Sequence, residues 1–341
     1  MKIPSRLSVV AGLSAATMVL ASCSSGGAGG GASGAANDKP KTKKIAVLLY
    51  SQGFEFMVAL GQGIKNKATE IGVQDKAKGL GVEVTVLDAK GDSATQISQI
   101  QDQLAKGVDG FVLSPNNSTE LTPGIQMIHD AGKTVTTVDA VIPGDVADAA
   151  VAFNNEKAGK MGAETLAKLM GEKGTVVEYQ GAKGAYHAIL RGKGFTTGIA
   201  ESPNIKVISR DSQWTADKAL SITVDSFTAD PSVSGLFSHN DEMVRGIVSG
   251  LSQIGKGAPV GAPGHIPLVG VDGTPLALDR IRKGLEDATM DQNPFVMGAL
   301  ALQAEVDLLD GKQVPKNQLT DTQVITKANV DDPKLWGNIF K

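Results

Sequence analysis

Polar residues that could do chemistry gather at a few points of the chain. Asn240, Asp241 and Glu242 stand together in "FSHNDEM", Asp272 in "VGVDGTP" and Asp139 in "TVTTVDA". Such carboxylates and amides could transfer protons, hold a metal ion or exchange hydrogen bonds with the hydroxyls of a bound molecule. Each possibility makes a demand on spacing. Adjacent Asp241 and Glu242 at a helix start point about 100° apart, so they cannot share one substrate atom as an acid/base pair would. No G-x-S-x-G elbow is present, and the single cysteine, Cys23, sits in the N-terminal leader, which argues against a catalytic nucleophile. The histidines (His129, His187, His239 and His265) are scattered, without H-E-x-x-H or calcium-loop spacing. The glycines of "GQGIKNKA" and "GAKGAYH" lack the spacing and the Lys-Ser/Thr of a phosphate loop. Hydroxyl recognition survives, because buried hydroxyls must be paired and Asp and Asn can pair them. The C–H face of such a ligand needs flat apolar surface. Trp214 in "DSQWTADKAL" and Phe54 and Phe56 in "YSQGFEFMVAL" stand where they could supply it, although an aromatic at a loop-to-helix junction is also a common lid on the local core.

The elements that must position these residues follow one pattern. Short apolar runs read as buried strands at 45–50, 82–87, 110–114, 134–138, 175–179, 206–209, 235–238 and 267–271. Between them lie stretches of helical spacing, at 56–70, 95–106, 119–131, 156–170, 186–200, 216–229, 242–254 and 275–283. Strand–helix alternation with near-continuous apolar strands predicts an α/β fold of doubly wound parallel sheets covered on both faces. The strands are too many for one comfortable open sheet, so two lobes are expected, with a crossing near 139–155 and Asn154 or Asn155 as the next helix cap. Polar residues follow nearly every strand: Tyr50-Ser51, Asp88, Ser114-Pro115-Asn116, Asp139, Gln180, Arg210-Asp211, Asn240-Asp241 and Asp272. In open α/β sheets ligands bind outside those strand ends, although some of these residues serve only as helix caps.

The first residues are a targeting segment. Lys2 and Arg6 precede an apolar run, Leu7 to Leu20, that is short for a bilayer span. It ends in "LASC", and the Gly/Ser-rich segment that follows ("SSGGAGGGASGAAN", 24–37) cannot bury apolar surface. Cleavage before Cys23 leaves 31 basic against 36 acidic residues, a balance that repels phosphate and excludes nucleic acid as a partner.

"LASC" resembles the lipobox of bacterial lipoproteins, which implies diacylation of Cys23 and a lipid anchor on the extracytoplasmic side of the cell membrane. Residues 44–328 resemble the ribose-binding-like family of periplasmic sugar-binding proteins, on "GKMGAE", "RGKGF", "FSHNDEM", "VGVDGTP" and "ATMDQNP" in that order. This resemblance implies the type I periplasmic binding fold, with a ligand in the cleft between two lobes joined by a multi-strand hinge. It implies lobes of 44–152 plus 293–322 and 153–292 plus 323–341, behind a leader (1–23) and a tether (24–43). Carried over by position, it makes Phe56 and Trp214 the aromatics that sandwich a sugar ring. Asp139, Asn240, Asp272 and Gln292 become the hydroxyl partners, and Arg191 a structural arginine. Phe54 stands where the family often has Asn. Two arginines of ribose-binding members are replaced, by Ala140 and Ile189.

The expectation is therefore a lipid-anchored solute receptor of an ABC importer, working with membrane permease subunits as a monomer. It would bind a monosaccharide or sugar alcohol without catalysis, cofactor or metal. A transcriptional regulator of the same body would need a helix-turn-helix where the leader and tether stand. A receptor for signalling or chemotaxis would share every residue discussed, and an enzyme of a doubly wound class would need chemistry that the spacing does not offer. Arginine can only donate hydrogen bonds, so the loss of two arginines beside retained Asp139 and Asp272 favours a polyol over ribose.

Overall fold

The computed structural model describes residues 42–75, 81–115, 117 and 119–340; the leader, Cys23, nearly all of the tether and Asn116 lie outside them. Two six-stranded sheets organise the chain. In the first, β1 (Lys43–Leu49) lies between β2 (Val82–Asp88) and β3 (Gly110–Leu113), followed by β4 (Thr134–Asp139), β5 (Ala149–Phe153) and β11 (Asn317–Thr320), all parallel. The second repeats the order. There β6 (Lys173–Gln180) lies between β7 (Asn204–Asp211) and β8 (Val233–Ser238), then β9 (Leu268–Asp272), β10 (Ala288–Asp291) and an antiparallel edge strand, β12 (Val324–Thr326).

Sequence decides which strands are central. β3, β4 and β5 are buried almost throughout, as strands covered by helices on both faces must be. The edge strands β2 and β7 read "VEVTVLD" and "NIKVISRD", where polar residues alternate with apolar ones that face a helix layer. In each sheet the strand order reverses beside β1 or β6, which opens a crevice at the carboxyl ends of those strands and their neighbours.

The helices occupy the stretches that periodicity marks, from α1 (Glu55–Asp75), α2 (Ser93–Ala105) and α3 (Thr122–Asp130) through α4 (Asn155–Leu169), α5 (Tyr186–Ile199), α6 (Ala216–Ala229), α7 (Asp241–Gln253) and α8 (Pro275–Lys283). Asn154 caps α4, its side chain accepting from the Lys157 amide. Glycines bring α4 and α5 unusually close. A Cβ on Gly159 would stand 2.1 Å from the Arg191 carbonyl, and one on Gly194 2.0 Å from that of Glu156. The motifs "GKMGAE" and "RGKGF" thus make a backbone-to-backbone contact that no larger residue permits.

One expectation needs correction. The stretch 139–155 is only partly a crossing, since Ala149–Phe153 within it form β5 of the first sheet. Its "AAVAF" is alanine-rich, a weak strand signal that pairing between β4 and β11 overrides. The helix α9 (Pro294–Leu309) has no polar stripe to reveal it, because it packs on both α1 and the first sheet. A last short helix is α10 (Trp336–Ile339). The chain passes between the sheets three times, after β5, after β10 and between β11 and β12.

Glu305 fastens α9 to the first sheet. Wholly buried, its carboxyl accepts from the Thr134 and Thr136 hydroxyls and the Phe111 amide. Burial raises its pKa to about 7, against lowering by those hydrogen bonds. Between about pH 4.5 and about pH 7 the unfolded chain has lost this proton while the folded chain keeps it, so stability falls as pH rises. Replacing Glu305 with Gln removes the titration. In denaturation series from about pH 5 to about pH 8, parent stability should fall relative to Glu305→Gln by on the order of 3 kcal/mol. A constant difference across that range would contradict the buried proton.

Candidate functional site

The carboxyl ends of the two sheets face a common cavity. β4 ends in Asp139 and β9, at the equivalent place of the second sheet, in Asp272. Both take positive φ, 74° and 131°, which Asp tolerates better than most residues and which turns each side chain out of its strand. Tyr50, Phe54, Phe56 and Asp139 line the cavity from the first sheet's side, and Trp214, Asn240 and Asp272 from the second's. Gln292, just past β10 at the second crossing, completes the set expected from sequence. Around them stand residues the sequence reading did not assign to the site: His187, Arg191, Glu55, Glu242 and Thr274 among them.

Arg191 holds the cavity together from the wall. Only 3% exposed, it donates through Nε to Asn155 Oδ1 at 2.7 Å, through Nη1 to the His239 carbonyl, and through Nη2 to Gln292 Oε1. Asp272 Oδ1 lies 3.6 Å from Nη1. Gln292 passes the linkage on, its Nε2 donating to Asp139 Oδ1 at 2.9 Å. One guanidinium therefore ties α5 to two of the three crossings and, through Gln292, to the first sheet. Burial raises the pKa of Asp139 to about 6, opposed by Arg191 and the Gln292 hydrogen bond. Asp272 is raised well above the usual carboxylate range by burial, with Arg191 opposing and Asp241 adding to it.

Trp214 is held by strain and by a glycine. Its φ is +63° and that of Gln213 +50°, left-handed values that a bulky residue rarely adopts. A Cβ on Gly181 would fall 1.9 Å from the indole, so only glycine lets the loop after β6 lie against the ring. His187 stacks on it, centroids 4.7 Å apart and planes 28° apart. His239, unassigned from sequence, lies nearby: fully buried, it sits 6.5 Å from the indole centroid and pairs through Nε2 with buried Glu178 at 2.9 Å.

Two sequence readings change in detail. Asn240 is itself the α7 cap, Oδ1 accepting from the Met243 amide, which leaves its amide Nδ2 and the second lone pair of Oδ1 to offer a ligand. Asp241, in the first turn of α7, accepts from the Thr274 amide and hydroxyl and from the Thr289 hydroxyl, pinning the start of α8 to β10. Ile189, expected beside the ligand as the replacement of a family arginine, is 57% exposed and lines a separate groove with Lys183 and Lys193. One helical position decides this: on α5 it is His187 and Arg191, four residues apart, that line the cavity. Trp336 also reaches the site: its indole donates to the Asp272 carbonyl at 2.8 Å and meets Phe56 edge-on at 6.3 Å.

Residues 45–313 match the family described as the periplasmic binding protein domain. The chain belongs to this family. Among curated proteins it is similar to the ribose import binding protein of Bacillus subtilis, 30% identical over 266 residues that cover 77% of this chain and 84% of the relative. It is also similar to a xylitol-binding protein of Mycolicibacterium smegmatis, 28% identical over 97% of this chain and 88% of the relative. Among solved structures, an ABC transporter solute-binding protein of Mycobacterium smegmatis with bound glycerol superimposes with a TM-score of 0.76 at 27% identity, covering 85% of this chain and 96% of that one. In this periplasmic binding protein the Arg191–Gln292–Asp139 linkage carries three polar side chains out of water. Gln292→Leu leaves Asp139 and one arm of Arg191 unpaired, at a cost of about 2–3 kcal/mol. Urea unfolding of the ligand-free protein measures it, and an unchanged midpoint would show that the linkage is idle.

Proposed function

We propose that this chain is the solute-binding subunit of an ABC importer, capturing a monosaccharide or sugar alcohol between its two lobes and passing it to membrane permease subunits. One observation carries the choice of ligand. The cavity sets two carboxyl groups, Asp139 and Asp272, at the ends of β4 and β9, while three of the five N–H donors of the arginine beside them are taken by Asn155, His239 and Gln292. At neutral pH Asp139 is mainly ionised and only accepts, whereas Asp272, pushed well above the usual carboxylate range by burial, can keep its proton and donate; a ligand whose oxygens are all hydroxyls suits both. A linear polyol meets that condition. A cyclic sugar buries a ring oxygen that only accepts, and leaving it unpaired costs roughly 1–3 kcal/mol. The similarity to a xylitol-binding protein over 97% of the chain, and to a structure holding glycerol, supports the same preference.

Phe56, Phe54 and Trp214 supply the apolar surface in this reading, Asn240 a donor, and Gln292 the bridge between carboxylate and arginine. The lobes divide at the three crossings, and a ligand held by Asp139 on one side and Asp272 on the other favours their closure by contacts made only when closed. The protein acts as a monomer, tethered through acylated Cys23, on which two acyl chains give stable membrane residence. Cys23→Ala should shift the protein from the detergent phase to the aqueous phase on partitioning; equal partitioning would remove the lipid anchor from this account.

Titration calorimetry tests the ligand class. Xylitol, threitol, erythritol and sorbitol are compared with ribose, xylose and glucose. At least one polyol should bind more tightly than ribose, by up to about a hundredfold if the unpaired ring oxygen sets the difference. Tight ribose binding with every polyol inert would overturn the preference.

A further inference from the structure

Tyr50 follows the last residue of β1, the strand beside which the order of the first sheet reverses, and it lines the cavity. The strand registers set it level with Asp139. Leu48 pairs with Leu113 of β3, and Leu113 with Thr137 of β4. Two residues further on stand Tyr50 and Asp139, on either side of a strand that has already ended. Strands two apart are separated by about 10 Å, which leaves room for a ligand group between the two side chains. The phenol ring leans on Phe54 with centroids 5.9 Å apart, and the Gly91 amide donates to the Tyr50 carbonyl, so ring and backbone are both held. Its hydroxyl hydrogen-bonds none of the described residues and is not sealed from solvent. Burial, then the nearby Asp139 and Asp272, push its pKa above the usual tyrosine value against the pull of Arg191, so the phenol keeps its proton. A tyrosine hydroxyl closed in by a ligand needs a partner, and here only the ligand is left to supply one.

We propose that Tyr50 is a specificity-determining contact of this site, its phenol O–H donating to a ligand hydroxyl that donates in turn to Asp139; the proposal rests on the reading of the ligand as polyhydroxylated. Asp139 takes the Gln292 amide on Oδ1, which leaves Oδ2 to accept from the ligand. The pair acts as a chemical filter. The oxygen between them must accept from Tyr50 and donate to a carboxylate that is mainly ionised at neutral pH. A hydroxyl does both. A ring ether oxygen would accept from Tyr50 but give Asp139 nothing, and an ammonium group would serve Asp139 but leave the phenol proton without an acceptor. Neighbouring polar groups do not duplicate this role. Gln292 is bonded to both Arg191 and Asp139, and the Thr274 hydroxyl is engaged by Asp241 and the Ala277 amide.

Tyr50→Phe removes the hydroxyl alone and keeps the ring on Phe54. Xylitol is the probe, with D-ribose as the second, each titrated into the full-length parent and the variant. Whichever probe binds the parent should bind Tyr50→Phe about five- to fiftyfold more weakly, while the urea midpoint of the ligand-free variant stays at that of the parent. Equal affinity in variant and parent would overturn the proposal, and so would a lowered midpoint that alone accounts for the lost affinity. A second measurement needs no variant. In parent protein with isotope-labelled tyrosine, the Cζ resonance of Tyr50, assigned through the ring contact with Phe54, should move as the probe saturates the site. An unmoved resonance at saturation would overturn the contact even if Tyr50→Phe misfolds. A parent that binds neither probe overturns the polyhydroxylated reading itself, and the contact with it.

Discussion

The buried charge of Arg191 is the constraint to which the site is built. A guanidinium out of water is costly unless its donors and its charge are both answered. Here the answer comes from parts of the chain far apart in sequence: Asn155 at the start of α4, the His239 carbonyl after β8, Gln292 after β10 and the carboxylate of Asp272 after β9. Each partner is held at a strand end or a crossing, so satisfying one cation fixes where the second sheet meets the first. The close approach of α4 to α5, possible only with glycine at 159 and 194, is what lets Nε reach Asn155.

Strain gathers where those partners meet the cavity. Among the described residues few non-glycine positions take positive φ, and Asp139, Trp214 and Asp272 are three of them. Left-handed backbone costs of order 1–3 kcal/mol per residue and persists only where surrounding structure enforces it. The enforcing contacts are visible: Gln292 on Asp139, Trp336 on the Asp272 carbonyl, and Gly181 with His187 around the Trp214 ring. A rigid, pre-aimed set of side chains spends less conformational freedom when a ligand arrives.

Much of this was legible in the sequence, for identifiable reasons. The parallel α/β architecture follows from continuous apolar strands at regular spacing, and residues named for the site, Asp139, Asp272 and Gln292 included, stand around one cavity because strand ends in such sheets converge. Elements without a pattern were hidden. "AAVAF" is a strand only because its neighbours make it one, and α9 is buried on too many sides to show a polar stripe. The network was hidden too. Nothing local to "YHAILRGKGF" says which turn of α5 faces the cavity, and so His187 went unassigned while Ile189 was expected there. A stronger signal was available in the four-residue spacing of His187 and Arg191, once Arg191 is taken as facing inward.

The three crossings impose an order on folding. The second sheet's parallel strands, β6 to β10, come from one unbroken stretch of chain, whereas the first sheet stays without α9 and β11 until residues beyond 293 are available. Glu305, which plugs the underside of β3 and β4, arrives in that late segment. The half of the molecule that begins the chain is thus the half that must wait, with Gly110–Leu113 and Thr134–Asp139 uncovered on one face. Apolar parallel strands left open in this way are prone to wrong partners. A chain delivered from its N-terminus therefore exposes these apolar strands early and shields them late.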